Sequence, residues 1–280
     1  MGSDDTLGKV KDPLVALIKW VKSRSSREKL MMGVAAGVLG LMILWKTIRD
    51  HDTLFILAET AHFLGIGVLM FKMQSRKSAA GLSLQSQILT AGFLCVRLIC
   101  SFMMEYDIHT VLDGLTLLAT AGVVACLIFQ PAVKQTYQRD QDRLQWYFVM
   151  GPCLLVAFFA HPKTNHWFVF RLMWAFCVYL EAVSVLPQLR MMQKAKVVEK
   201  FTAHYVFLLG VSRFFSCAHW VLQILEGNRV LMSALGSGLW PVMVLLSEVV
   251  QTFILADFCF YYVKSYADGT GVVRLPTGIV

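Results

Sequence analysis

Residues 167–189 read WFVFRLMWAFCVYLEAVSVLPQL, and only Arg171 and Glu181 among them carry charge. As a helix rising 1.5 Å per residue this block is about 34 Å long, enough to cross the hydrocarbon of a bilayer. A soluble helix of that length keeps a polar face toward water, and this one has none. Comparable blocks follow the same logic at Thr53–Phe71, Leu84–Met104, Val111–Gln130, Leu144–Ala160, Thr202–Leu225 and 230–263, where the spanning part of the last starts near Trp240. An earlier block, Leu30–Trp45, is shorter at about 24 Å and is flanked by Lys29 and Lys46, whose long side chains can reach outward. It carries Gly33-Val-Ala-Ala-Gly37 with Gly40 one turn on, a face that lets another helix backbone approach closely.

The composition agrees. With 57% hydrophobic and 16% charged residues and a mean hydropathy of +0.60, 280 residues have too little polar surface for a water-soluble globule. Open-edged strands cannot face lipid, and the blocks are too uniformly apolar for barrel strands, so the expected fold is an all-α polytopic membrane protein. The expected organisation is a basic tail over 1–29, an extra transmembrane anchor over 30–48, a seven-helix domain over 52–264 and a C-terminal tail over 265–280. The polar, basic 1–29 lacks a small-residue cleavage site ahead of Lys46 and reads as retained, not as a signal peptide. Met1-Gly2-Ser3-Asp4-Asp5-Thr6 fits the N-myristoylation pattern, although a basic tail against anionic membrane lipid is the simpler account.

Loop charge sets the sidedness. Alternate connections hold nineteen Lys and Arg on one side against four on the other, and the remaining three of the 26 lie inside spans. Both termini are thereby expected in the cytosol. The net charge of +8 is divided among loops and forms no continuous stripe, which excludes nucleic acid as a partner. Seven cysteines without CxxC spacing exclude a zinc site or a disulfide framework and read as small core residues. No nucleophile–base pair or metal constellation is visible, so neither catalysis nor a cofactor is expected. A shift of 119 residues superposes Met73-Gln74 on Met192-Gln193 and Leu82-Ser83 on Phe201-Thr202. With the span count, this suggests two three-helix bundles joined by a linker helix.

Ionisable groups at membrane depth cost several kcal/mol unless they face water or a partner. Three arginines, Arg97, Arg171 and Arg213, fall inside spans, Arg97 and Arg171 in the half away from the basic loops and Arg213 near mid-depth. Gathered in one cavity they would favour an anionic ligand. The alternative is that each pairs with one of Glu59, Asp113, Glu181, Glu248 or Asp257 and locks the bundle. Helical spacing favours convergence: Phe55, Glu59 and His62 form one stripe, Arg171, Trp174, Val178 and Glu181 a second, and Arg213, Ser216 and Trp220 a third. His62 would add positive charge on mild acidification and release it at neutral pH, or else serve as a hydrogen-bonded core histidine.

From about Thr53 to Val263 the chain resembles the receptors for the C-terminal ER-retention signal, the KDEL/HDEL receptors. The resemblance is carried by Ala61-His62, Ala80-Gly81-Leu82-Ser83, Ser86-Gln87 and Arg97, then by Trp174 to Glu181 and Leu186-Pro187-Gln188. It continues in Thr202-Ala203-His204-Tyr205, Leu209-Gly210, Arg213, Trp220, Val250-Gln251-Thr252 and Asp257-Phe258. It implies a seven-helix SWEET/PQ-loop-like body and a lumenal cavity for the carboxylate end of a retention-signal peptide. It also implies pH-controlled retrograde cycling between Golgi and ER membranes with coat-protein machinery as a partner. The ligand-binding set it suggests is Arg97, Arg171, Trp174, Arg213, His219 and Trp220, with His62 and Glu181 as pH-sensing or locking residues. The family has arginine at Phe55 and Gln223, glutamate at Arg171, asparagine at His219 and tyrosine at Ser212 and Ser216, so standard KDEL or HDEL peptides are expected to bind weakly or not at all. The extra anchor points to a receptor-like branch of the family. Other readings of the same architecture are a small-solute transporter and a non-binding Golgi organisation factor.

Overall fold

The computed structural model describes residues 52–104, 108–195, 197–225 and 238–275, with scattered positions before residue 52, and all regular structure among them is helical. The helices are α1 (Asp52–Arg76), α2 (Leu84–Met104), α3 (Ile108–Phe129), the single turn α4 (Pro131–Lys134), α5 (Trp146–Phe159), α6 (Phe168–Val183), α7 (Leu186–Lys194), α8 (Lys200–Leu225) and α9 (Trp240–Ala267). Six segments are long and apolar enough to cross a membrane, with α6 and α7 together making one of them, and α5 is a shorter apolar helix. The expected tail at 1–29 and anchor at 30–48 lie almost entirely outside the described residues.

Local chemistry explains where the helices start and stop. Pro131, Pro187 and Pro241 each stand at the first or second position of a helix, where a missing N–H costs nothing. Pro187 also breaks the block at 167–189 into α6 and α7, because its ring excludes the carbonyl of the preceding turn. Ser83 caps α2, its Oγ accepting the Ser86 N–H at 3.1 Å. Glu199 does the same for α8, accepting the Thr202 N–H at 2.8 Å.

The helices repeat one packing order. In the first bundle α3 lies between α1 and α2; in the second, α9 lies between α6 and α8. The bundles meet where α1 packs on α8 and α2 on α6, contacts that are exchanged when α1, α2, α3 are mapped onto α6, α8, α9. This is the parallel repeat suggested by the 119-residue shift, and α5 joins the halves by packing on α2 and α6. Gly65 faces α8 at this contact, where a Cβ would meet the Tyr205 ring and backbone oxygen at 3.4 Å, an ordinary van der Waals distance.

One apolar core, including Leu69, Met73, Leu82, Tyr205 and Phe258, fills the interface toward the end where α1, α3, α7 and α9 finish. A second, including Phe93, Cys153, Phe176, Leu180 and Trp240, joins α2, α5, α6 and α9. Outside these, Phe102, Leu118, Phe129, Phe148, Phe159, Val242 and Phe253 are each more than half exposed. An apolar shell of that extent is stable only against lipid. The chain is thus a multi-pass membrane protein.

Two expectations need correction. The cysteines are not all core residues: Cys95 is exposed, Cys126, Cys217 and Cys259 are half-buried, and only Cys100, Cys153 and Cys177 are buried. The last helix also continues three residues past 264, after which the C-terminal tail was expected to begin. Helix α9 runs to Ala267, and after a turn at Gly269 and Gly271, both with positive φ, the chain returns so that Val273 is buried and its carbonyl accepts the Val198 N–H at 3.1 Å.

Candidate functional site

Polar groups at the bundle interface gather in two places. The first lies at the basic end, where the turn 77–83 meets the loops 130–145 and 195–199. Lys72, counted from sequence as a loop charge, is 1% exposed within α1. Its three ammonium protons have three acceptors: the Ala80 carbonyl at 2.6 Å, Thr202 Oγ1 at 3.0 Å and Glu199 Oε2 at 2.9 Å. Gln188, from the opposite bundle, clasps the same turn by donating to the Gly81 carbonyl at 2.8 Å and accepting the Ser83 N–H at 2.9 Å. Asp142 accepts from Ser83 Oγ and from the Tyr137 hydroxyl, each at 2.7 Å. Burial and the bond to Lys72 act in opposite senses on Glu199, and the ammonium prevails, holding its carboxyl below the usual value. Burial, reinforced by Asp142, pushes the Tyr137 phenol well up.

The second place is a cavity of about 110 Å³ in the opposite half, lined by Phe55, Ala58, Glu59 and His62 of α1, Arg97 of α2, Trp174, Val178 and Glu181 of α6, Ser212, Arg213, Ser216 and Trp220 of α8, and Val244 and Glu248 of α9. Its floor is an ion network. Arg97 donates from Nε to Asp113 Oδ2 at 2.7 Å, from Nη1 to Glu181 Oε2 at 2.9 Å and from Nη2 to Glu59 Oε1 at 3.2 Å, with a further bond from Nη2 to Asp113 Oδ1. Arg213 Nη1 donates to the other oxygen of Glu181. Glu181 of the second bundle therefore bridges Arg97 of the first to Arg213 of its own. The Arg97 guanidinium also lies 5.5 Å from the Phe93 ring centroid. His62 is 2% exposed, its ring 6.3 Å from that of Phe93.

Of the residues expected from sequence, Arg97, Trp174, Arg213, Trp220, His62 and Glu181 converge on this cavity, and Arg171 and His219 do not line it. Arg171 is in the first turn of α6; it turns back to the Thr164 carbonyl at 3.4 Å and lies 6.0 Å from the Phe168 ring centroid. A long side chain so near a helix end reaches the polar boundary more cheaply than the bundle interior. His219 stands one layer behind the wall, 5.5 Å from Phe55 and 6.0 Å from Trp220 between ring centroids. The expectation of three arginines waiting together for an anion is thus corrected: two converge, and carboxylates already engage both. Sequence reasoning held Asp113 and Glu248 only as pairing partners, and placed Glu59 also on a converging stripe. Glu248, on the same face of α9 as Val244 one turn earlier, was signalled by its charge at membrane depth.

The fold is that of a parallel two-bundle membrane protein with a charged cavity between its pseudo-symmetric halves. Residues 78–223 match the family model described as ER lumen protein retaining receptor. The chain is 31% identical to the ER lumen protein-retaining receptor of Petunia hybrida, over 76% of this chain and 94% of that protein. It is 32% identical to that of Caenorhabditis briggsae over 74% and 91%, and 29% identical to that of Dictyostelium discoideum over 78% and 96%. The chain belongs to the ER lumen protein retaining receptor family, a family of receptors and not of enzymes.

Proposed function

We propose that this protein is a retrieval receptor of Golgi and ER membranes, its cavity open toward the lumen and both termini in the cytosol, that captures C-terminal peptides of lumenal proteins and returns them to the ER through coat-protein vesicles. The observation that carries this reading is the Glu181 bridge between Arg97 and Arg213. A peptide carboxylate can replace Glu181 on Arg213 with a bond of the same kind, and the exchange frees an oxygen of Glu181, the residue that joins the two bundles through Arg97. Trp174 and Trp220 offer faces for the peptide. His62, in the wall with Arg97, Arg213, Glu59, Glu181 and Glu248, is the residue to which the family resemblance gives the pH-sensing role; a proton gained there would add a positive charge and favour the entering anion. Phe55 in the wall, and Arg171 outside it, replace groups that the family uses for a KDEL-type signal. Specificity therefore differs from the standard one.

Fluorescent peptides ending in a free carboxylate, titrated onto the full chain in detergent at about pH 5.5 and about pH 7.5, test this. Saturable binding that is tighter in acid, lost on C-terminal amidation and lost in Arg213→Ala is expected. Equal binding of free and amidated peptides would overturn it. Flux of a small organic anion in proteoliposomes, without peptide affinity, would instead support the transporter reading that the two-bundle fold also allows.

A further inference from the structure

The groups left over in the cavity are acidic. Four carboxylates, Glu59, Asp113, Glu181 and Glu248, surround two guanidiniums, Arg97 and Arg213. Arg97 and Arg213 are engaged by Asp113, Glu181 and one oxygen of Glu59. The second oxygen of Glu59 and Oε2 of Glu248 are buried with no donor from the protein, the Glu59 carboxyl lying beside that of Asp113; each residue is only 6% exposed and both line the cavity. Ser216 and Gln251 hydrogen-bond the Glu248 carboxylate, which leaves that oxygen still unmatched. A buried carboxylate oxygen without a donor is costly, and the partner it lacks is a hydrogen-bond donor carrying positive charge.

The rest of the wall suits such a partner. Trp174, Trp220 and Phe55 line the same space, and aromatic faces attract cations, indole most strongly. A cavity of about 110 Å³ admits a short chain and its head group, not a folded segment. A guanidinium would meet Arg97 and Arg213 with its broad, delocalised charge, whereas an ammonium is a compact point charge that a single carboxylate can match.

We propose that this cavity is a binding site for a primary ammonium group, held by Glu248 and the free oxygen of Glu59 and flanked by Trp174 and Trp220. The ammonium belongs either to a free short-chain amine or to a lysine side chain of a captured peptide. The site stands independently of the carboxylate exchange at Arg213: its two carboxylates take no part in that exchange, and only the tryptophan faces are common to both.

The test is n-butylammonium added to the full chain in detergent, followed by the shift in unfolding temperature and by calorimetry, with n-butanol and butyrate as matched neutral and anionic probes. Saturable stabilisation by butylammonium alone is expected, weakened about tenfold or more in Glu248→Gln and partly kept in Glu248→Asp. Stabilisation by butanol equal to that by butylammonium, no saturable effect in the wild type, or undiminished binding in Glu248→Gln overturns the proposal. The probe comparison in the wild type decides the matter even if a variant does not fold. Two peptides differing only as lysine against norleucine then separate the sources. A preference for lysine places the ammonium on the peptide, and amine binding without that preference assigns the site to a free amine. Failure of peptide binding with amine binding intact sinks the receptor reading and leaves this site standing.

Discussion

The two polar regions of the bundle interface are built from similar residue types and differ in how completely they are matched. At the basic end each proton of the Lys72 ammonium has an acceptor, and Gln188 uses both ends of its amide on one turn. In the cavity, Arg97 has acceptors to spare while oxygens of Glu59 and Glu248 have no donor. A fully matched buried network closes and specifies a structure; an unmatched one is retained at a cost and waits for a partner. The basic end is therefore the structural clasp, and the cavity is the proposed site.

The largest effect should come from breaking the cavity's own anchor. Arg97→Met leaves Asp113, Glu59 and Glu181 clustered without their shared cation, and a loss of about 3–5 kcal/mol in unfolding free energy is expected, read from denaturant or thermal unfolding in detergent. Next is the clasp. Gln188→Ala strands the Ser83 N–H and the Gly81 carbonyl, which costs about 1–3 kcal/mol, and ligand binding by the folded protein should be unchanged. Loss of binding with no loss of stability would invert the roles assigned to the two regions.

The sharpest contrast is a change of sign. Glu248→Gln removes an unmatched buried charge, so this variant should be more stable by about 1 kcal/mol, though poorer at binding. A destabilised Glu248→Gln would mean that the carboxylate is already satisfied in the bundle.

The smallest effects are pH dependences of the clasp. Glu199 is held below its ordinary 4.5 in the folded protein, so the unfolded chain takes up the proton first. Its contribution is present above about 4.5 and is lost as pH falls through the depressed value; Glu199→Gln should narrow the gap to wild type only in that acid range. Tyr137 is shifted the other way. The unfolded phenol ionises first, near 10.0, so its contribution is full below that value and declines as pH rises, a decline that Tyr137→Phe should remove.

Much of this was legible in the chain. The apolar blocks predicted the helices to within a few residues, because a span must satisfy its own backbone over a length set by the membrane. The 119-residue shift pointed to the repeat, and the stripes from Phe55, Trp174 and Arg213 pointed to the faces that line the cavity. Arg171 was misplaced because periodicity records the face of a helix and not the direction in which a long side chain leaves it. Lys72 was misread for a related reason: a lysine at the end of an apolar block looks like a loop charge until a second chain segment, Glu199–Thr202, folds over it.

Hydrophobic length, a local property, sufficed for the class of fold and for the number of apolar helical segments in the body. The sign of the cavity was beyond it. Arg97 meets Asp113, Glu59 and Glu181 only because three other helices turn particular faces toward α2, and those rotations arise from side-chain packing between segments far apart in the chain. Tertiary structure therefore decided which charges cancel, and with that which oxygens remain for a ligand.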